Sequence, residues 1–198
     1  MKKVIYNFIL LILITFISLT IILSTTGIKT KRFNNLIAKK INHLNNSINL
    51  KLTTIKFKLD LKELSLFLEA IDPKIYYQSS VIPAKNIKAY IDFISLVKSN
   101  PKLKKISLIL SQFDVEQLKK ISSNFKPSNF TSFINNRIKQ GKLNIELEVF
   151  LDDKNLFDNF IARGSVLNLK TEIKNNINLQ KTNFNFFADK NDILITNI

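Results

Sequence analysis

One uncharged apolar run near the N-terminus constrains this chain more than any other feature. Residues 4–23 read VIYNFILLILITFISLTIIL and contain no charged side chain. About 20 apolar residues in a helix rise about 30 Å, which matches the hydrocarbon thickness of a bilayer. A cleaved signal peptide has a shorter apolar region that ends at small residues, and Ser24–Gly27 match that pattern poorly. We therefore predict a membrane anchor over residues 1–28, with a cleaved signal peptide and a buried helix as the alternatives.

The charge of the chain is strongly positive and unevenly placed. Lysine and arginine number 30 against 15 aspartates and glutamates, and the first carboxylate is Asp60. A cation near an anionic leaflet contributes about 1 kcal/mol of binding free energy. We therefore predict that phospholipid headgroups are bound by the first cations after the anchor, which are Lys29, Lys31, Arg32, Lys39 and Lys40.

The positive charge is also compatible with a nucleic-acid partner or with compositional drift. Nucleic acid is the rival polyanion, but the sequence has no zinc finger and no aromatic RNA-binding motif, so we expect no nucleic-acid partner. The chain is crowded with lysine, asparagine and isoleucine, as AT-rich genomes encode. Compositional drift therefore accounts for part of the charge.

The sequence carries no recognisable catalytic set. It has no cysteine, one histidine (His43) and three glycines. This composition excludes disulfides, thiolate metal sites and a cysteine nucleophile, and it leaves little glycine to cradle a phosphate. Glu146 and Glu148 share the polar side of an alternating segment, where solvated charge is expected. We predict no catalytic residue, no metal and no cofactor, and hence a protein that is not an enzyme.

The hydrophobic period changes once along the chain. Residues 29–47 place apolar side chains at three- and four-residue steps with Lys39 and Lys40 opposite, which predicts a basic amphipathic helix. From Ile48 onward the period is two, which is typical of strands with one apolar face. Residues 48–198 are therefore predicted to form a β-rich domain.

Two short helices interrupt the β pattern. Asp114 is a predicted N-cap, and Gln117 three residues later completes a capping box. A second helix is predicted from Ser128 to Gly141. The fold class predicted from these elements is α+β and mainly β: a curved antiparallel sheet, groove-like, with short helices packed on it.

Each predicted strand carries one wholly aliphatic or aromatic face. These faces either close into an ordinary core or leave part of a curved sheet open as a groove for acyl chains, which are flexible and need no polar recognition. Alternation does not separate the two, because both produce it. The residues predicted to contact acyl chains in a groove are Leu50, Leu52, Ile55, Phe57, Leu64, Leu66, Leu68, Ile87, Ile91, Ile106, Leu108 and Leu110.

The order of parts resembles the front end of the AsmA-like superfamily, which includes the TamB and YhdP proteins of Gram-negative bacteria. The similar segments after the anchor are INLKLTTIKFKL with ELSLFLEA, then PAKNIKAYIDFISLVKSNPKLKKISLIL, then GKLNIELEVFLDDKNLFDNFIARGSVLNLKTEI. The resemblance is one of pattern and order over most of the chain. Known members are far longer, so we expect the natural protein to continue beyond Ile198.

The resemblance implies a β-groove held in the bacterial inner membrane by residues 4–23, a single span. The β-domain would lie in the periplasm and conduct phospholipid toward the outer membrane, supporting envelope integrity, with envelope proteins as further partners. Two cations precede the span and five follow it closely, so the positive-inside rule favours the opposite orientation. The alternative functions are a membrane-tethered scaffold or assembly factor for outer-membrane proteins, with a closed β-core, and a cytoplasmic-facing protein that binds nucleic acid.

Overall fold

The computed structural model describes residues 2–31, 34–44, 47–63, 65–92, 95, 98, 102–152, 154, 156–174 and 177–197. For residues 36, 40, 41, 43, 44 and 174 it describes the backbone alone. Within these ranges the chain is mainly β, with an N-terminal apolar helix and a few short helices beside a curved, unclosed antiparallel sheet. That part of the predicted fold class is confirmed.

The elements are as follows in chain order. The helices are α1 Lys2–Thr25, α2 Asn34–Leu44, α3 Val115–Ser122 and α4 Asn129–Arg137. The strands are β1 Ile28–Thr30, β2 Ile48–Lys51, β3 Ile55–Asp60, β4 Ser65–Ile71, β5 Lys74–Tyr77, β6 Ser80–Ile91, β7 Leu103–Leu110, β8 Phe113–Asp114, β9 Ile138–Leu151, β10 Phe157–Lys174, β11 Ile177–Asp189 and β12 Ile193–Thr196.

Helix α1 is exposed along most of its length. It is 24 residues long, and none of its residues is buried. The hydroxyl of Thr15 donates to the carbonyl of Leu11, and that of Thr20 donates to the carbonyl of Phe16. These hydroxyls therefore need no partner outside the helix, which suits an apolar surrounding. The chain thus has an N-terminal helix long and apolar enough to cross a bilayer.

A glycine joins this helix to the sheet. Gly27 has φ +70°, and its N–H donates to the carbonyl of Ile22 at 2.8 Å, which ends the helix in a left-handed turn. A Cβ at Gly27 would lie 2.9 Å from the carbonyl oxygen of Phe57. Strand β1 follows at once and pairs with β3, with Ile28 opposite Phe57. Only Thr26 and Gly27 therefore separate the end of the helix from the first strand of the sheet.

Strand β1 was not predicted from the sequence. The structure has a helix, α2 Asn34–Leu44, inside the range 29–47 predicted for an amphipathic helix, but Lys29 and Thr30 belong to β1 and pair with β3. The side-chain amide of Asn34 donates to the carbonyls of Leu52 and Thr53, which ties the start of α2 to the loop after β2. Three residues are too few to show a period of two, so β1 has no sequence signal.

The sheet is long and open at both ends. Its strand order is β1-β3-β4-β6-β7-β9-β10-β11-β12, and every pairing is antiparallel. β2 pairs with β5, β5 pairs with the first part of β6, and β8 pairs with β9. Since neighbouring strands lie about 4.8 Å apart, nine strands extend over roughly 38 Å. The β1 edge lies beside α1, and β12 forms the far edge.

The pairing register separates an apolar face from a polar face. Residues directly opposite each other on neighbouring strands share a face. One such row, which we call the central apolar row, consists of Ile55, Ala70, Ile87, Leu108, Leu147, Ala162, Ala188 and Ile193. The row on the opposite, polar face consists of Lys56, Glu69, Lys88, Ser107, Glu148, Ile161 and Asp189. One face is therefore apolar across eight neighbouring strands.

The predicted starts of both short helices are confirmed, but the predicted end of the second helix is not. Asp114 caps α3 and Ser128 caps α4, each in a complete capping box. The prediction that the second helix runs to Gly141 is wrong, because α4 ends at Arg137 and Ile138 already belongs to β9. Residues 138–142 pair with β10, and this long-range pairing outweighs the helical pattern.

Candidate functional site

The apolar face is closed in the half of the sheet nearer α1. Leu50, Ile75 and Ala84 form a buried cluster, and α2 contributes Ile37 to it. Of the residues predicted to contact acyl chains, Leu52, Ile87, Leu108 and Leu110 pack against this cluster. β2, β5 and α2 thus cover the apolar face over β6 and β7.

The other predicted contacts lie on the same face with different exposure. Ile55, Leu66 and Ile91 are buried, with exposed fractions of 1%, 8% and 8%. Phe57, Leu68 and Ile106 are half-buried in a second apolar row beside the central one. Leu64 lies outside the described residues. A photoreactive or charged residue at Leu66 would therefore report on core packing rather than on lipid.

The apolar face is less closed under the two short helices. Between them and β9–β11 lies a cavity of about 660 Å³. Its walls are apolar side chains, among them Leu118, Ile121 and Phe130 from the helix side and Ile145, Val166 and Phe184 from the sheet. The three sheet residues belong to the apolar face, because Ile145 and Val166 lie in register with Gly164 and Phe184 of the neighbouring strands.

Sequence reasoning did not select these cavity residues. The alternation of β9 predicts that Ile145 faces inward, but nothing in the pattern says where two helices leave a space. The signal that could have pointed to it is the pair of phenylalanines Phe125 and Phe130, which lie beside the helix break at Pro127. They are 50% and 71% exposed, which is unusual for side chains of this size.

Two lysines and one aspartate border the cavity. Lys126 and Lys142 are both exposed, but Lys142 lies next to Leu143 in register with Leu167, so its side chain faces the polar side of the sheet. Asp114 lies there too, but one oxygen of its carboxylate accepts the N–H of Gln117 as the cap of α3. Among the described ion pairs, none involves either lysine.

The helices over the cavity are fixed to the sheet on one side. The side-chain amide of Asn124 donates to the carbonyl of Tyr77 and to the hydroxyl of Ser80, and the Tyr77 and Phe125 rings stack at 4.9 Å. The Ser122 hydroxyl donates to the side chain of Asn135, which joins α3 to α4. The cavity therefore has a cover that is held in place by polar contacts at the α3 end.

The predicted headgroup residues lie in the anchor-proximal part of the chain. Lys29 is exposed on the polar face of β1, opposite Lys56 of β3. Lys31 and Lys39 are exposed, and no ion pair in the described part of the chain includes them. Arg32 and the side chain of Lys40 lie outside the described residues.

Ion pairs occupy much of the polar face. Glu148 lies 3.1 Å from Lys105 and 2.9 Å from Arg163, and Lys105 also pairs with Glu63 at 2.8 Å. Lys58 pairs with Glu69 at 3.0 Å. Where the structure describes side chains, no group of three metal-ligating residues comes together. These carboxylates act as cross-strand partners of lysine and arginine.

Glu69 makes the stability of the sheet depend on pH. Burial raises the pKa of Glu69, but hydrogen bonds from Asn86 and Lys58 and the charges of Lys58 and Lys88 outweigh it and lower the pKa below 4.5. A carboxyl whose pKa is lowered on folding stabilises the fold above its unfolded pKa, and this contribution is lost as the pH falls.

We expect Glu69→Gln to lower the thermal unfolding midpoint at pH 7 and to bring it closer to that of the unaltered chain at acid pH. Thermal unfolding of both chains in nanodiscs between pH 7 and pH 3, followed by circular dichroism, measures this difference. Asp192→Asn, at an exposed turn, serves as the control and should run parallel to the unaltered chain. A constant gap for Glu69→Gln at every pH would contradict the assignment.

Comparison with known proteins assigns no relative: no family model, no curated protein and no solved structure matches the chain. The function is therefore inferred from the anchor, the apolar face and the cavity that lies on it.

Proposed function

We propose that this chain is a membrane-anchored, non-enzymatic protein that carries phospholipid acyl chains along the apolar face of its sheet. The observation that carries the proposal is the part of the apolar face outside the buried cluster. The half-buried second row, with Phe57, Leu68 and Ile106, begins next to β1, and the central apolar row continues the face from β9 to the far edge at β12. An ordinary half-buried sheet needs an apolar face only where something packs on it. Here that face continues to β12, where Ile193 and Ile195 are 74% and 47% exposed.

The anchor supports this function by its position. Gly27 links α1 to β1 with no flexible linker, so the β1 edge would lie at the bilayer surface. Ile28, on the apolar face opposite Phe57, is 47% exposed there. An acyl chain that leaves the bilayer at this edge would exchange one apolar contact for another. Each methylene that stays out of water keeps about 0.8 kcal/mol.

The lysines near the anchor suit the other half of a phospholipid. Lys29 and Lys56 lie opposite each other on the polar face at the β1 edge, where anionic headgroups would offset their mutual repulsion. We assign Lys29, Lys31 and Lys39 to headgroup binding on this basis. The polar face, rich in cross-strand ion pairs, would remain in water while acyl chains follow the apolar one.

We further propose the bacterial inner membrane as the location, with the sheet in the periplasm. This follows from the resemblance of the sequence to AsmA-like proteins. The apolar face is roughly 38 Å long by strand spacing, so passage to a second membrane would need envelope proteins that continue it.

One observation favours a second function, that of a membrane-tethered scaffold for outer-membrane proteins. The cluster of Leu50, Ile75 and Ala84 is a closed core, and the β12 edge presents Ile193, Leu194 and Ile195 to solvent. An open apolar edge can pair with a strand of another protein.

Photocrosslinking in bacterial cells distinguishes the two functions. A photoreactive phenylalanine is placed at Ile195, on the apolar face, and in a separate chain at the adjacent Leu194, which faces the other way and is 58% exposed. We expect phospholipid adducts at Ile195 and not at Leu194. Equal adducts at both would show contact with bulk membrane only. Protein adducts without lipid at either position would favour the scaffold.

A further inference from the structure

The cavity between the two short helices and the sheet has the size of one acyl chain. A methylene group occupies about the volume of a water molecule, roughly 30 Å³. A cavity of about 660 Å³ therefore has room for about 20 such groups, which is the size of one acyl chain. Its walls are apolar on both sides, with Ile121 and Phe130 across from Ile145 and Val166.

One exposed lysine lies where the head of such a molecule would be placed. Lys126 borders the cavity from the segment between α3 and α4, whereas Lys142, also at its border, faces the polar side of β9. Asp114 keeps its negative charge, but its carboxylate accepts the N–H of Gln117 at the start of α3. An apolar pocket with an exposed cation beside it is complementary to an amphiphile whose head is anionic.

The exposed aromatic side chains suggest how the ligand enters. Phe125, Phe130 and Phe133 all border the cavity, and they are 50%, 71% and 37% exposed. The polar contacts of Asn124 fix the α3 end of the cover to β5 and β6, whereas Phe130 and Phe133 lie on α4. Entry past α4 would bring a tail between aromatic rings before it reaches the sheet.

We propose that this cavity binds a single acyl chain whose anionic head is held by Lys126. The ligand class is a single-chain anionic amphiphile, with either a carboxylate or a phosphate head. The proposal rests on the proposed function, because the site lies on the apolar face that would supply the chain. It goes further in naming a bound species with one tail, at a fixed place.

The test uses the full chain in nanodiscs of a two-chain phosphatidylcholine, labelled by palmitic acid that carries a diazirine. Val166→Trp fills the cavity from its floor, and Ile161→Trp makes the same change on the same strand at the polar face. We expect labelling of Val166→Trp to fall about tenfold or more, since the tail loses its space, and labelling of Ile161→Trp to stay unchanged. Circular dichroism confirms that both variants are folded.

A second pair of measurements does not depend on a tryptophan being tolerated. Lys126→Gln should weaken labelling by about tenfold, because the charge-assisted contact to the head is lost, and Lys142→Gln, on the polar side of the sheet, should leave labelling unchanged. Peptide mapping of the unaltered chain should place the label within residues 113–145 or 166–184. Competition by free oleate or by lysophosphatidylglycerol then identifies a carboxylate or a phosphate head as the preferred one.

Three results would overturn the proposal. One is a label that maps elsewhere. Another is equal labelling of the two tryptophan variants. The third is competition by two-chain phosphatidylglycerol that is as strong as by either single-chain lipid. If the cavity takes no label while Ile195 still forms phospholipid adducts, this inference fails and the proposed function stands. If the cavity is labelled and Ile195 forms no adduct, the site is a closed pocket and the proposed function fails.

Discussion

Ile55→Asp is expected to unfold the sheet. Ile55 is 1% exposed and begins the central apolar row, opposite Ala70 on one side and Thr30 of β1 on the other. The change removes a buried aliphatic side chain, which costs about 2–5 kcal/mol, and adds a carboxylate without a partner. The total approaches the whole free energy of unfolding of an ordinary domain, about 5–15 kcal/mol. Loss of the β signal in circular dichroism at 25 °C, with the chain in nanodiscs, is the measurement.

Ile193→Asp is the matched control, since it makes the same change in the same row at the far edge. Ile193 is 74% exposed, so the substitution should alter stability by about 0.5 kcal/mol or less. If Ile55→Asp left the thermal midpoint close to that of Ile193→Asp, the anchor-proximal part of the apolar face would be open rather than closed. The placement of the core would then be wrong.

The strand faces could be predicted from the sequence because a period of two is a local signal. The residues predicted to share faces, such as Ile106 with Leu108, do lie together on the apolar face. The helix starts at Asp114 and Ser128 were readable for the same reason, since a capping box is complete within four residues.

The features that the sequence did not predict depend on distant parts of the chain. Ile138 joined a strand instead of a helix because Thr171, 33 positions later, pairs with it. Strand β1 exists because Ile28 meets Phe57 across the sheet. Neither partner can be identified from the local pattern, because pairing is decided by the packing of the whole sheet.

Whether a part of the apolar face is covered or open also depends on distant parts of the chain. The predicted acyl-chain contacts lie on β2 to β7, and the structure covers much of that part with α2, β2 and β5. The space instead lies under α3 and α4, at Ile145, Val166 and Phe184. Both parts of the chain alternate equally well, so alternation could identify the face but not its uncovered part.

Ala162→Glu is expected to stop lipid from reaching the far edge while the sheet stays folded. Ala162 lies in the central apolar row between Leu147 and Ala188, and it is half-buried. A glutamate there can keep its carboxylate hydrated as long as nothing apolar covers it. An acyl chain that passes would remove that water, at a cost of several kcal/mol for an unpaired charge.

Ser165→Glu is the matched control on the same strand. Ser165 faces the polar side, where Asn144 and Asn185 lie opposite it, so a carboxylate there meets water and polar groups. Both variants should keep thermal midpoints within about 5 °C of the unaltered chain. A difference in lipid passage between the two variants would therefore reflect the charge placed on the apolar face and not a loss of folding.

Lipid passage along the sheet is tested by the phospholipid adduct at Ile195, measured side by side in the unaltered chain, in Ala162→Glu and in Ser165→Glu. A second photoreactive position at Ile28, beside the anchor, controls for lipid contact at the membrane. We predict that the Ile195 adduct is lost only in Ala162→Glu and that the Ile28 adduct persists in all three chains. An Ile195 adduct that is unchanged in a folded Ala162→Glu chain would contradict passage of lipid along the apolar face.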